Sequence, residues 1–156
     1  MQFLEKQLED IIFDHLQTKD GRQKLKDRGL YVFSDRFFWA KRQVNLGGYG
    51  IADIVTATLC DGELYITIYE LKQKSVCEKA LIQAARYRKA VSRYMDKRWH
   101  GALHISIKLI GSKVQDTDWV YLIDAMDDLT VLAYEYDIDG LKFHEFFGFY
   151  LIDEKF

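Results

Sequence analysis

One dipeptide constrains this chain more than any other: Asp61-Gly62, set between two runs that read as strands. Residues 51–60 (IADIVTATLC) and 63–72 (ELYITIYELK) are rich in β-branched and aromatic side chains, and only two residues separate them. A two-residue hairpin loop needs positive φ at both central positions, which Asp-Gly supplies at little steric cost. The turn predicts a tight antiparallel hairpin whose register follows by counting: Cys60 faces Glu63, and Asp53 faces Glu70.

Directly opposed residues have Cβ atoms about 4.5–5.5 Å apart, and Lys72, two residues beyond Glu70, points to the same face. The rest of that face reads as apolar: Ile51, Val55, Ala57, Leu64, Ile66 and Ile68. Two carboxylates held together beside an apolar surface repel each other and lose hydration, at a cost of several kcal/mol per ion unless something neutralises them. A divalent cation does so, and Mg²⁺ is commonly held by one or two carboxylates with phosphate and water completing its shell. Asp53 and Glu70 are the expected ligands, with Lys72 placed to serve an attacking water or developing charge. The bland reading is a surface Glu–Lys pair with Asp53 at the end of a turn.

After the hairpin, Ser75-x-x-Glu78 has the form of a capping box and predicts a helix running to about Met95, since Gly and Pro are absent until Gly101. Wound at helical period, it sorts into stripes. Ala80, Ala84, Val91 and Met95 make an apolar face, and Lys79, Arg86, Arg93 and Lys97 a basic edge. Gln83, Tyr87 and Tyr94 lie between them, with Gln83 and Tyr87 at i,i+4.

Asp53 followed by Glu70-Leu71-Lys72 resembles the PD-(D/E)XK nuclease superfamily, the restriction-endonuclease-like fold, with Ala52 standing where the motif has proline. Gln83-x-x-x-Tyr87 on the following helix is similar to the extra motif of the RecB-type branch. The resemblance covers about residues 3–110. It implies a Mg²⁺- or Mn²⁺-dependent deoxyribonuclease with Asp53, Glu70 and the backbone carbonyl of Leu71 on the metal, Lys72 on the water, and Gln83 and Tyr87 positioning water or phosphate. Such proteins commonly carry a glutamate on the first helix near the metal. Here Leu4, Leu8, Ile11 and Ile12 mark a helix from Phe3 to Leu16, and Glu9 is preferred over Glu5 for that role. RNA stays open as a substrate, and a homodimer is a further implication of the resemblance. The rival reading is an inactive nuclease-fold module that binds nucleic acid or a protein partner.

Charge distribution bears on the partner. Net charge is −2, yet residues 71–100 hold nine Lys/Arg against two acids, while residues 115–154 hold eleven acids against Lys142 alone. A basic segment on and after the helix fits a phosphate-binding face, with Lys74, Lys79, Arg86 and Arg93 as candidate contacts. Gly48 and Tyr49, in the Gly47-Gly48-Tyr49-Gly50 turn, could approach a phosphodiester backbone, or simply join two strands. Trp39, Tyr49 and Trp99 are candidates for stacking on bases.

The remaining sequence suggests one α/β domain spanning residues 1–156: a mixed central sheet flanked by helices, then a β-rich extension over about 115–156. Residues 37–44 and 103–109 read as strands, as do 119–125, 130–136 and 142–152. A hydrophobic fraction of 49% without proline argues against disorder. No run of 18 apolar residues and no signal peptide is visible, so the expectation is a cytoplasmic protein without membrane contact. Cys60 and Cys77 lack metal-ligand spacing and are expected reduced and partly buried. The histidines form no zinc motif, and no Gly-x-Ser-x-Gly elbow occurs.

Overall fold

The computed structural model describes residues 5–115, 119 and 121–146. Its centre is a six-stranded mixed sheet in the order β1-β2-β3-β5-β7-β8. The strands are β1 (Phe37–Asn45), β2 (Ile51–Cys60), β3 (Glu63–Leu71), β5 (Leu103–Gly111), β7 (Leu129–Asp137) and β8 (Gly140–Glu145). Helices α1 (Glu5–Leu16) and α2 (Lys19–Asp27) cover one face, and α3 (Glu78–Asp96) covers the other. A two-stranded parallel pair, β4 (Ser75–Val76) and β6 (Lys113–Val114), and the short helix α4 (Tyr121–Ala125) complete the described chain.

The Asp61-Gly62 turn forms as its chemistry requires, with φ of 51° and 78° and Cys60 paired to Glu63. β1 joins β2 antiparallel, while β3 reaches β5 in parallel through α3, a crossover that puts the helix on the sheet. β7 adds parallel to β5, and β8 folds back antiparallel, so the C-terminal β-rich part extends the central sheet.

Alternation along the strands divides the core. Ile54, Tyr69, Leu71, Ile110 and Leu132 pack under Leu8, Ile12 and Leu16 of α1. Val55, Ile66, Ile68, Ile107 and Leu109 pack under Ala80, Ala84, Tyr87 and Val91 of α3. Among the described residues, no helix is long and apolar enough to cross a membrane.

Several elements depart from the sequence reading. Ser75 does not cap α3: Ser75 and Val76 pair with β6, and Gln115 N–H donates to the Val76 carbonyl at 2.9 Å. The helix starts two residues later, with Cys77 at its N-cap and no side-chain capping bond. Residues 121–125, expected as strand, are helical, because Trp119 and Ile123 at i,i+4 enter the α3-side core while Tyr121 and Leu122 stay exposed. A short apolar run fits either period, and burial decides between them. Helix α2 had no hydrophobic period to announce it; Thr18 Oγ1 accepts the Gly21 N–H at 2.9 Å and Leu25 supplies its buried apolar side chain. Ile51 is 52% exposed and Ala52 takes the core position instead. The last strand ends at Glu145, and its expected continuation over 147–152 lies outside the described residues, as do residues 3–4 of the first helix.

Candidate active site

The site lies where β2 and β3 part. Their ladder runs from Cys60↔Glu63 to Ile54↔Tyr69, so Asp53 and Glu70 are the next facing pair, just past the last paired residues. Backbone pairing no longer satisfies that step, and side chains take over: Leu71 N–H donates to Asp53 Oδ2 at 2.7 Å. On the other side β1 also breaks. Gln43, facing Asp53 in the β1–β2 register, has φ of 50° and drops out of the ladder between Arg42↔Ile54 and Val44↔Ala52. A non-glycine residue in this region is uncommon and marks a local demand on the backbone.

Glu70 is only 4% exposed, and its Oε2 is buried with no donor. Burial, followed by the Asp53 charge and a hydrogen bond to Asp53, pushes the Glu70 carboxyl up to about 9. Burial also raises Asp53, against the lowering effect of its bonds to Glu70 and Leu71 N–H; the charges of Glu9 and Glu5 add to the rise. With its carboxyl pushed that far, Glu70 favours the protonated form at neutral pH, where it can donate to the facing Asp53 carboxylate.

Lys72, Gln83 and Tyr87 form one chain of bonds beside this pair. Lys72 Nζ lies 3.7 Å from Glu70 Oε1 and donates to Gln83 Oε1 at 2.9 Å. Gln83 Nε2 donates to Tyr87 Oη at 2.7 Å, and Tyr87 donates to the Ile51 carbonyl at 2.9 Å. The i,i+4 spacing on α3 aligns the amide and the phenol along one line. Gly50, at φ of 116°, lets the turn before β2 come against the Tyr87 ring; a Cβ there would lie 3.1 Å from its hydroxyl.

Both first-helix glutamates sit near the pair, in different roles. Glu9 is 3% exposed; its Oε2 accepts from Arg42 Nε at 3.2 Å and its Oε1 from the Gln43 amide. Arg42 also bridges to Asp10. Glu5 is exposed, and its Oε1 accepts the Gln73 N–H at 3.2 Å, just after Lys72. Arg42 and Gln43 escaped the sequence reading: an Arg-Gln pair in a strand carries no local signal, and its partner Glu9 is 33 positions away.

The basic edge of α3 meets the glycine-rich turn. Arg93 donates to Tyr49 Oη at 2.8 Å, and Arg86 approaches the Gly48 carbonyl at 3.5 Å. Lys74 and Lys79 are exposed at the entrance to α3. Trp99 spends its indole N–H on the Ala102 carbonyl, whereas Trp39 stands half exposed on β1. Cys60 and Cys77 are free thiols and half-buried.

The donor set fits a small hard cation. It offers two facing carboxylates, one of whose oxygens lacks a donor, with the Leu71 peptide N–H bound to Asp53. Among the described residues, no group of three or more His, Cys, Asp or Glu side chains is arranged to hold a metal. No family model, curated protein or solved structure matches the chain.

Proposed function

We propose that this protein is a Mg²⁺- or Mn²⁺-dependent nuclease that hydrolyses DNA phosphodiester bonds, with a restriction-endonuclease-like arrangement of its core. One observation carries the reading: the half-buried Asp53 and the buried Glu70, whose Oε2 has no donor, face each other beside the Lys72 ammonium, which lies 3.7 Å from Glu70 Oε1 and is itself held by Gln83. A structural ion pair has no need of a second buried carboxylate, and its desolvation opposes folding. Asp53, Glu70 and the Leu71 carbonyl would hold the cation, which when bound polarises a phosphate oxygen and lowers the pKa of water. Lys72 stands where it can orient that water or offset charge on the phosphate. Gln83 and Tyr87 hold the ammonium in place through bonds anchored on the Ile51 carbonyl, and the α3 cations supply a surface for the backbone.

The test is digestion of labelled linear, nicked, branched and single-stranded DNA, with RNA alongside, in Mn²⁺ or EDTA, by wild type and Lys72→Ala. Cleavage lost in EDTA and in the variant is expected. No cleavage by folded wild type would overturn the proposal.

A second reading, a nuclease-fold module without activity, has one observation in its favour. Glu9 is committed to Arg42 and Gln43, so the first helix lends the site no free carboxylate from that position. Calorimetry with Mn²⁺ separates the two. Binding lost in Glu70→Ala supports the enzyme, and none at millimolar Mn²⁺ supports the module.

A further inference from the structure

The face of β1 beyond α3 carries features that the metal site does not use. β1 is an edge strand; among the described residues α3 lies over β3 and β5, and α4 over β7 at the opposite end of the sheet. On the β1 side Phe37 is 63% exposed, Trp39 50% and Leu59 36%, around a shallow hollow also lined by Ala57 and Leu64. Soluble proteins rarely leave neighbouring large apolar side chains in water without a use for them.

Register fixes the direction of this face. Phe37 lies opposite Leu59, Trp39 opposite Ala57 and Lys41 opposite Val55; Val55 and Ala57 belong to the α3-side core. Phe37, Trp39 and Lys41 therefore form one row on that face, leading along β2 toward Asp53. From Ala57 to Asp53 is four residues, roughly 13 Å of strand.

Charge selects the occupant. Between Asp35 and Asp53 the chain has no acidic residue; Arg36 and Lys41 stand exposed, while Arg42 is spent on Glu9 and Asp10 on the α1 side. Pairing two β1 edges antiparallel would set these cations against each other, which disfavours a second copy of the chain. The Arg36 guanidinium lies over the Phe37 ring at 5.7 Å, so cation and ring present together. Flat rings beside cations, with no acid among them, suit a polyanion that carries exposed π-faces.

We infer that Phe37 and Trp39 are a stacking platform for the unpaired bases of a single nucleic-acid strand, whose backbone passes Lys41 toward the Asp53–Glu70 pair. The inference rests on the nuclease reading for its direction but can be tested apart from it. Aromatic platforms bordered by cations bind single strands with little sequence preference, because every base has a π-face.

The experiment is fluorescence anisotropy in EDTA with labelled dT12, rU12, a DNA duplex and an abasic strand of equal length. The proteins are wild type, Trp39→Leu and Trp39→Phe, with circular dichroism as the fold control and sedimentation for association state. Wild type should bind dT12 or rU12 at least tenfold more tightly than the abasic strand. Trp39→Leu, which keeps apolar bulk without a ring, should lose roughly tenfold, and Trp39→Phe should recover most of it. Equal binding by Trp39→Leu, or of the abasic strand, overturns the inference. So does a wild-type dimer that Trp39→Leu dissociates, which would make the face an interface between copies. Trp39-dependent binding without cleavage in Mn²⁺ sinks the nuclease reading and leaves this one standing; cleavage with Trp39-independent binding does the reverse.

Discussion

Replacing Glu70 with glutamine should stabilise the metal-free protein at alkaline pH while abolishing metal binding and cleavage. The carboxyl sits at about 9 in the folded chain against 4.5 for an ordinary glutamate. Between those values the folded state keeps a proton that the unfolded state has released, so wild-type stability falls as pH rises. Each unit of separation corresponds to about 1.4 kcal/mol. From pH 6 to 8.5 the cost is on the order of 3 kcal/mol, an upper figure because an ionised pair can admit water. Glutamine matches the protonated acid in shape, can donate to Asp53, and does not titrate. Urea denaturation in EDTA at half-unit steps should show the variant's advantage growing across this window. The difference between the two proteins cancels other titrating groups, such as Lys108, whose burial lowers its own pKa. A constant difference from pH 6 to 8.5, or a Glu70→Gln protein less stable than wild type at pH 8.5, would refute the account of a protonated Glu70.

The same proton predicts that Mn²⁺ binding at pH 7.5 releases close to one proton, read as a calorimetric heat that scales with buffer ionisation enthalpy, and that Glu70→Gln removes the dependence. Gly50→Ala should destabilise by about 1–3 kcal/mol, since a φ of 116° strains an L side chain and its methyl group would press on the Tyr87 ring at 3.1 Å; thermal melts and the Mn²⁺-dependent rate should fall together. Arg42→Met should cost about 3 kcal/mol by stranding the buried Glu9 carboxylate, and adding Glu9→Gln should restore most of that in denaturant titrations. Tyr87→Phe should lose about 1–2 kcal/mol, because the Ile51 carbonyl and the Gln83 amide both lose a partner, and its kcat should drop without loss of metal affinity.

The parts of this protein legible in its sequence are those governed by neighbours in the chain. The Asp61-Gly62 turn sets the hairpin register, and the register by itself brings Asp53 to Glu70 and sends Lys72 to the same side. Helical period aligns Gln83 with Tyr87, and strand alternation marks which residues of β5 enter the core. Each depends on dihedral preferences and side-chain direction over a few residues, which the local sequence encodes. Tertiary structure decided the rest. Ser75 had a capping pattern, but pairing with residues near 113 drew it into β4. Residues 121–125 fit strand or helix until the α3-side core accepted Trp119 and Ile123. The resemblance made Glu9 the first-helix candidate for the metal, and Arg42 and Gln43, brought beside it by the β1–α1 packing, occupied its oxygens. The protonation of Glu70 likewise comes from burial beneath a helix and against Asp53. The free energy of a buried polar group is set by what surrounds it in space, and the sequence around that group does not contain those surroundings.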